Sequence, residues 1–137
     1  MDHQAPSFSD FLRHSAEHIL DACTKCGACA TACPMTVPAE IDTSDAPALV
    51  SGILDLIGGG AGTPAAERWA AVCSNSGKCI PACEHGINPR LMINLARVAS
   101  KAKQGEAVVR KAGNAYFNNM SRGTRTISRM LLPPETL

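Results

Sequence analysis

The chain's chemistry lies in seven cysteines, which fall into two runs. The first, Cys23-Thr-Lys-Cys26-Gly-Ala-Cys29-Ala-Thr-Ala-Cys33-Pro34, has the spacing C-x2-C-x2-C-x3-C-P. Three thiolates at two-residue spacing wrap around one iron–sulfur cube, because the loop is just long enough to place sulfurs on three different irons. The fourth cysteine of such a run is badly placed for that cube and ligates a second cluster. The small residues Gly27, Ala28 and Ala30 let backbone amides come close enough to hydrogen-bond inorganic sulfide. Zinc is the competing reading, yet zinc knuckles present pairs of cysteines and need neither a triplet nor a proline-flanked fourth. An odd number of cysteines cannot be fully paired as disulfides.

The second run, Cys73-Ser-Asn-Ser76-Gly-Lys-Cys79-Ile-Pro-Ala-Cys83, repeats the frame with Ser76 where the second cysteine would stand. If the terminal cysteines of both runs cross over, Cys23, Cys26, Cys29 and Cys83 hold one [4Fe-4S] cluster, and Cys33, Cys73 and Cys79 hold the other. A site with three thiolates either leaves one corner of the cube vacant, as [3Fe-4S], or keeps a fourth iron on serine, water or a partner's ligand, as a second [4Fe-4S]. The vacant corner is the preferred reading. With one anionic ligand fewer, such a site accepts an electron more readily, so electrons run downhill toward it.

Other residues invite chemistry less strongly. His14 and His18 stand four apart on a predicted helix, but no third ligand is local, and a plain surface pair is expected. His85, two residues past Cys83, either tunes a cluster by hydrogen bonding or caps a turn. Trp69 is expected to pack beside a cluster as core. The stretch from Gly58 to Gly62 lacks the lysine and hydroxyl residue of a phosphate loop and reads as a flexible connection. Lys25 and Lys78 lie within the cysteine runs and either attract an acidic redox partner or stay solvated.

The elements that must position these groups are helices. Ser7-Phe8-Ser9-Asp10 reads as a capped helix start, with Phe8, Leu12 and Ile19 on one face, and this helix delivers the chain to Cys23. A second helix is predicted from about Asp45 to Ile57, carrying Leu49, Ile53, Leu56 and Ile57 and ended by three glycines. Thr63-Pro64 reads as cap and first position of a short helix through Trp69 to Val72. Pro89 opens another, with Leu91, Leu95 and Val98 on one side and Met92 and Ala99 beside them. Past Lys101 the helix extends or restarts at Gly105. Arg122, Arg125 and Arg129 then recur near Ile127, Met130 and Leu131 as a basic amphipathic end, which Pro133-Pro134 closes ahead of frayed last residues. Strand signals are nearly absent. Each cysteine run is preceded by a helix and followed by a proline-containing exit and another helix, a loose internal repeat that suits two facing half-sites.

Length and composition set the bounds. At 137 residues the chain suffices for about one domain. Aromatics make up only 4% of residues, so the bulky side chains that usually dominate a core are scarce and metal sites are expected to help hold it together. The formal charge of +1 leaves no overall footprint for nucleic acid. That charge is unevenly placed: residues 1–60 carry eight acids and two bases, and residues 101–137 two acids and seven bases. An acidic front and a basic end suit docking to a partner. No cationic segment precedes an apolar stretch at the N-terminus, and a thiol-rich chain that binds metal is at home in a reducing compartment, so a cytoplasmic location is expected. The longest apolar segment, Ala46 to Gly58, falls short of the roughly 20 residues of a transmembrane span, so any membrane contact is expected through a partner.

Taken together, C-x2-C-x2-C-x3-C-P, C-x5-C-x3-C and Gly86-Ile87-Asn88-Pro89 resemble the α-helical ferredoxin domain of succinate dehydrogenase and fumarate reductase iron–sulfur subunits. The chain is also similar to the small dicluster subunit of heterodisulfide reductase and to the N-terminal part of the iron–sulfur subunit of anaerobic glycerol-3-phosphate dehydrogenase. The resemblance covers roughly residues 8 to 100. It implies an all-α fold with two clusters between short helices, with the same crossed ligand sets: Cys23, Cys26, Cys29 and Cys83 for [4Fe-4S], and Cys33, Cys73 and Cys79 for [3Fe-4S]. Three departures stand out. No counterpart of the complex II [2Fe-2S] domain is read here, Glu84 replaces a proline after Cys83, and Pro38 stands at the quinone-site tryptophan. The better match is a dicluster subunit in a hetero-oligomer with a flavoprotein dehydrogenase or a cysteine-rich heterodisulfide-reductase-type subunit.

The expected organisation is a dicluster domain over 1–104 and a basic helical extension over 105–137 that docks a partner. No acid–base pair or nucleophile is read in the sequence, so the expected role is electron transfer without bond chemistry of its own. The alternatives are a labile-iron dehydratase acting as a Lewis acid and an iron or redox sensor.

Overall fold

The computed structural model describes residues 7–131, whose regular elements are all helices with no strand among them. Six helices follow in order: α1 (Phe8–Ala22), α2 (Ala28–Thr31), α3 (Ala46–Ile57), α4 (Pro64–Val72), α5 (Pro89–Ala102) and α6 (Glu106–Leu131). Their starts are set by local chemistry. Ser7 and Asp10 form a reciprocal capping box on α1, Asp45 accepts from the Ala48 N–H at the start of α3, and Thr63 accepts from Ala66 at the start of α4. Asn88 Oδ1 likewise accepts from the Leu91 N–H as α5 opens at Pro89. The predicted closing prolines, Pro133 and Pro134, and the frayed end lie outside the described residues.

The chain divides into two compact units, one ending at Ser100 and one beginning at Lys101. In the first, α3 lies at the centre of the packing and touches α1, α2 and α4. Its Leu49, Val50, Ile53 and Leu56 are buried with Ile19 of α1, Trp69 of α4, and Met92 and Ile93 of α5. Phe8, expected on the inward face of α1, is exposed, because it sits in the first turn, and of the three expected residues Leu12 and Ile19 reach the core. Val98 is exposed as well. The buried stripe of α5 is Met92, Ile93, Leu95 and Ala96, one position around the helix from the expected side.

The glycine stretch after α3 is pinned, contrary to the expected flexible connection. The Asp55 carboxylate accepts from the Gly62 N–H at 2.8 Å, and the Asp55 carbonyl accepts from the Gly60 N–H at 2.8 Å. In the second unit, α6 runs for 26 residues without burying any of them. Val109, Tyr116, Met120 and Ile127 are exposed and recur at spacings of one face, while Arg110, Lys111, Arg122, Arg125 and Arg129 occupy the remaining surface. No helix among the described residues is long and apolar enough to cross a membrane.

Candidate iron–sulfur centre

Both cysteine runs follow directly from a helix, with Cys23 capping the end of α1 and Cys73 the end of α4. From there the backbones repeat one another. Lys25 and Asn75 both take the left-handed conformation, at φ 60° and 58°, and Gly27 and Gly77 do so at 82° and 76°. The Ala30 N–H donates to the Gly27 carbonyl and the Cys33 N–H to that of Ala30. The Ile80 N–H donates to the Gly77 carbonyl and the Cys83 N–H to that of Ile80 in the same way. Ser76 therefore occupies the backbone position that Cys26 holds in the first run. One local difference went unforeseen: Ala28–Thr31 forms a single helical turn, α2, which no apolar periodicity announces.

The first run is seated by Gly27. A side-chain carbon there would stand 2.6 Å from Ala46 Cβ and 2.9 Å from the Ala46 carbonyl carbon, so the loop lies directly on the start of α3. The second run is seated by α5. Arg97 donates through Nε to the Ala70 carbonyl and through Nη2 to the Cys73 carbonyl, both at 2.7 Å, which satisfies orphan acceptors at the end of α4. Asn94 Nδ2 donates to Asn75 Oδ1 at 2.8 Å. Sequence reasoning missed Arg97 and Asn94, because their partners are 24 and 19 positions away and nothing local marks them.

The thiols line two cavities. One, of about 290 Å³ including its open mouth, is lined by Cys23, Cys26, Cys29 and Cys83, with Val50, Ile87 and His85 among its other walls. The other, of about 320 Å³ on the same measure, is lined by Cys33, Cys73 and Cys79, with Ser76, Trp69 and Arg90. Thus the terminal cysteine of each run stands in the cavity of the other. Neither lining includes a carboxylate. Among the described residues no three histidine, cysteine or acidic side chains gather on one point as a single zinc ion requires.

The electrostatics fit a cationic occupant held by soft sulfur ligands. Burial pushes the Cys29 thiol up to about 12, and the charges of Cys23, of Cys79 from the neighbouring cavity, and of Cys26 and Cys83 add to the rise. Burial also raises Cys79, with Cys33 and Cys73 adding, while its backbone hydrogen bond and Arg90 pull the other way. Positive charge beside the Cys29 and Cys79 sulfurs would offset both rises, and bound iron would supply it.

The remaining candidates separate cleanly. His14 and His18 are exposed, and His14 lies 3.5 Å from the Glu17 carboxylate on its own helix. Lys25 and Lys78 are exposed. Trp69 is buried at 1% exposure, as expected of core, and its indole Nε1–H donates to Cys33 Sγ at 3.3 Å.

Among known families, the model of the 4Fe-4S binding domain fits residues 16–36, which contain the whole first cysteine run. No curated protein and no solved structure matches the chain. Residues 16–36 accordingly carry a 4Fe-4S binding domain.

Proposed function

We propose that this chain is an electron-transfer iron–sulfur subunit of a multi-subunit oxidoreductase. It relays single electrons between a flavoprotein dehydrogenase and a further acceptor, which a cysteine-rich heterodisulfide-reductase-type subunit would provide. Cys23, Cys26, Cys29 and Cys83 would hold a [4Fe-4S] cluster. Cys33, Cys73 and Cys79 would hold a [3Fe-4S] cluster, with Ser76 at the vacant ligand position. When bound, such groups supply reversible one-electron storage.

One observation carries this reading. The seven thiols divide four and three between two adjoining cavities, with Cys33 and Cys83 exchanged between runs. The chain's own residues then have definite work. Val50 and Ile87 keep water from one set of thiols, and Ile93 and Trp69 from the other. Arg97 holds the Cys73 loop to α5. The segment 105–137 would dock the partner, since the 26-residue α6 leaves its apolar stripe uncovered and carries five bases and one acid.

Iron and sulfide analysis of the anaerobically purified chain, with electron paramagnetic resonance, tests the proposal. About seven irons per chain, a three-iron signal when oxidised and a further signal on reduction are expected. About eight irons with no oxidised signal would replace the three-iron assignment by a second [4Fe-4S], and stoichiometric zinc would end the proposal. Recovery of a flavoprotein with the native chain is the expected result of co-purification. Turnover of a hydroxy acid by the isolated chain would favour a dehydratase instead.

A further inference from the structure

We propose that Trp69 sets the reduction potential of the second site by donating its indole N–H to Cys33. This inference rests on the dicluster reading and deepens it. The indole is 1% exposed, so its N–H has no water to turn to and needs a partner inside the fold. The acceptor it reaches is Cys33 Sγ, at 3.3 Å, on a loop 36 positions away in sequence. A sulfur bound to iron carries more negative charge than a neutral thiol and is the better acceptor, so the contact would strengthen once Cys33 serves as a ligand.

The arrangement is one-sided. Among the described residues no other side-chain N–H donates to a cysteine sulfur, and no tryptophan or other indole is available to do so, since the chain contains one tryptophan. Cys33 is also the cysteine that leaves its own run to join Cys73 and Cys79.

The chemical consequence has a definite sign. One electron from a reductant, dithionite in the titration or a reduced flavin in the complex, adds negative charge to the second site, and part of that charge falls on the ligating sulfurs. Trp69 keeps its proton throughout and donates more strongly to the more negative sulfur, so it favours the reduced state. Trp69 thereby raises the potential of the second site and leaves the first unaffected. It acts in the same direction as the missing ligand at Ser76 but by a separate route. Its removal changes the potential without changing the iron count, whereas a ligand change alters both.

The test is a redox titration of the full chain followed by electron paramagnetic resonance, comparing wild type with Trp69→Phe. The expected result is a potential lowered at the second site by about 59 mV, a tenfold weaker hold on the electron, with an unchanged first site and unchanged iron. An unchanged second potential at full iron content overturns the proposal. Should the phenylalanine variant lose iron, benzothienylalanine at position 69 keeps the ring shape without the N–H, and the same shift is expected from it. Nitrogen-15 labelling of the indole in wild type supplies a measurement free of substitution: hyperfine coupling from Nε1 to the second-site signal is expected, and its absence also overturns the proposal. A wild-type chain with no second-site signal at all would instead defeat the dicluster reading itself.

Discussion

Replacing Ser76 with cysteine tests the missing ligand directly, and the structure makes the experiment clean. The loops around Cys26 and Ser76 differ by 2° in φ at Lys25 and Asn75 (60° against 58°) and by 6° at Gly27 and Gly77 (82° against 76°). Both differences lie well inside the roughly 15–20° scatter of regular backbone, so a thiol at position 76 needs no rearrangement. The exchange of Oγ for Sγ adds no heavy atom at an exposed residue, and the cost in fold stability is expected below about 0.5 kcal/mol.

The electrical effect is far larger. A unit charge about 4 Å away contributes about 4 kcal/mol at an effective dielectric constant near 20, or about 170 mV for one electron. Since position 76 faces solvent, a fall of roughly 100 mV in the second-site potential is the working expectation. Iron should rise from about seven to about eight per chain, and the oxidised three-iron signal should disappear. Metal analysis, electron paramagnetic resonance and a dithionite titration read all three. Retention of the oxidised signal and of the iron count in Ser76→Cys would refute the assignment of this position as the vacant one.

Three further outcomes are expected. Gly27→Ala should destabilise the folded chain by about 3 kcal/mol in chemical denaturation, from the left-handed backbone and the clash with Ala46. Gly77→Ala, whose nearest neighbour is Ile80 Cδ1 at 3.6 Å, should cost only about 1 kcal/mol, and equal costs would contradict the seating of the first loop on α3. Arg97→Met removes two charge-assisted bonds and should destabilise by about 2 kcal/mol. It should also speed loss of iron to a chelator from the second site ahead of the first, and equal loss from both would count against it. In the cluster-free chain, the raised Cys29 thiol contributes stability in full below the unfolded value of 9.0, and that contribution is lost as pH climbs from 9.0 toward about 12. The unfolding free energy read from urea denaturation should therefore fall by up to about 1.4 kcal/mol per pH unit above pH 9, and Cys29→Ala should flatten that slope.

Much of the fold was legible because helix starts are local events. Ser7 with Asp10, Asp45, Thr63 with Pro64, and Pro89 each satisfy or dispense with backbone donors within one turn, and each helix begins where those residues stand. Whether the helix past Lys101 extends or restarts at Gly105 was left open by the sequence, and the structure restarts it there, with Gly105 at a φ of 88° and α6 following at once. The buried face of α5 was harder, because apolar residues fall on more than one side of that helix and only its burial in the core of the first unit decides which of them is covered.

The cysteine spacing by itself determined that the chain carries two thiol-rich loops of one frame, one of them a thiol short, because ligand spacing is a property of a few consecutive residues. The spacing also led to the expectation that the terminal cysteines of the runs are exchanged, and the tertiary structure sets Cys83 in the cavity of Cys23 and Cys33 in that of Cys73. Only the tertiary structure set the Trp69 N–H against Cys33 and drew Arg97 onto the Cys73 carbonyl. These contacts join residues tens of positions apart. They form when α3, α4 and α5 bury their apolar faces together, and that common burial leaves no imprint in any short stretch of sequence.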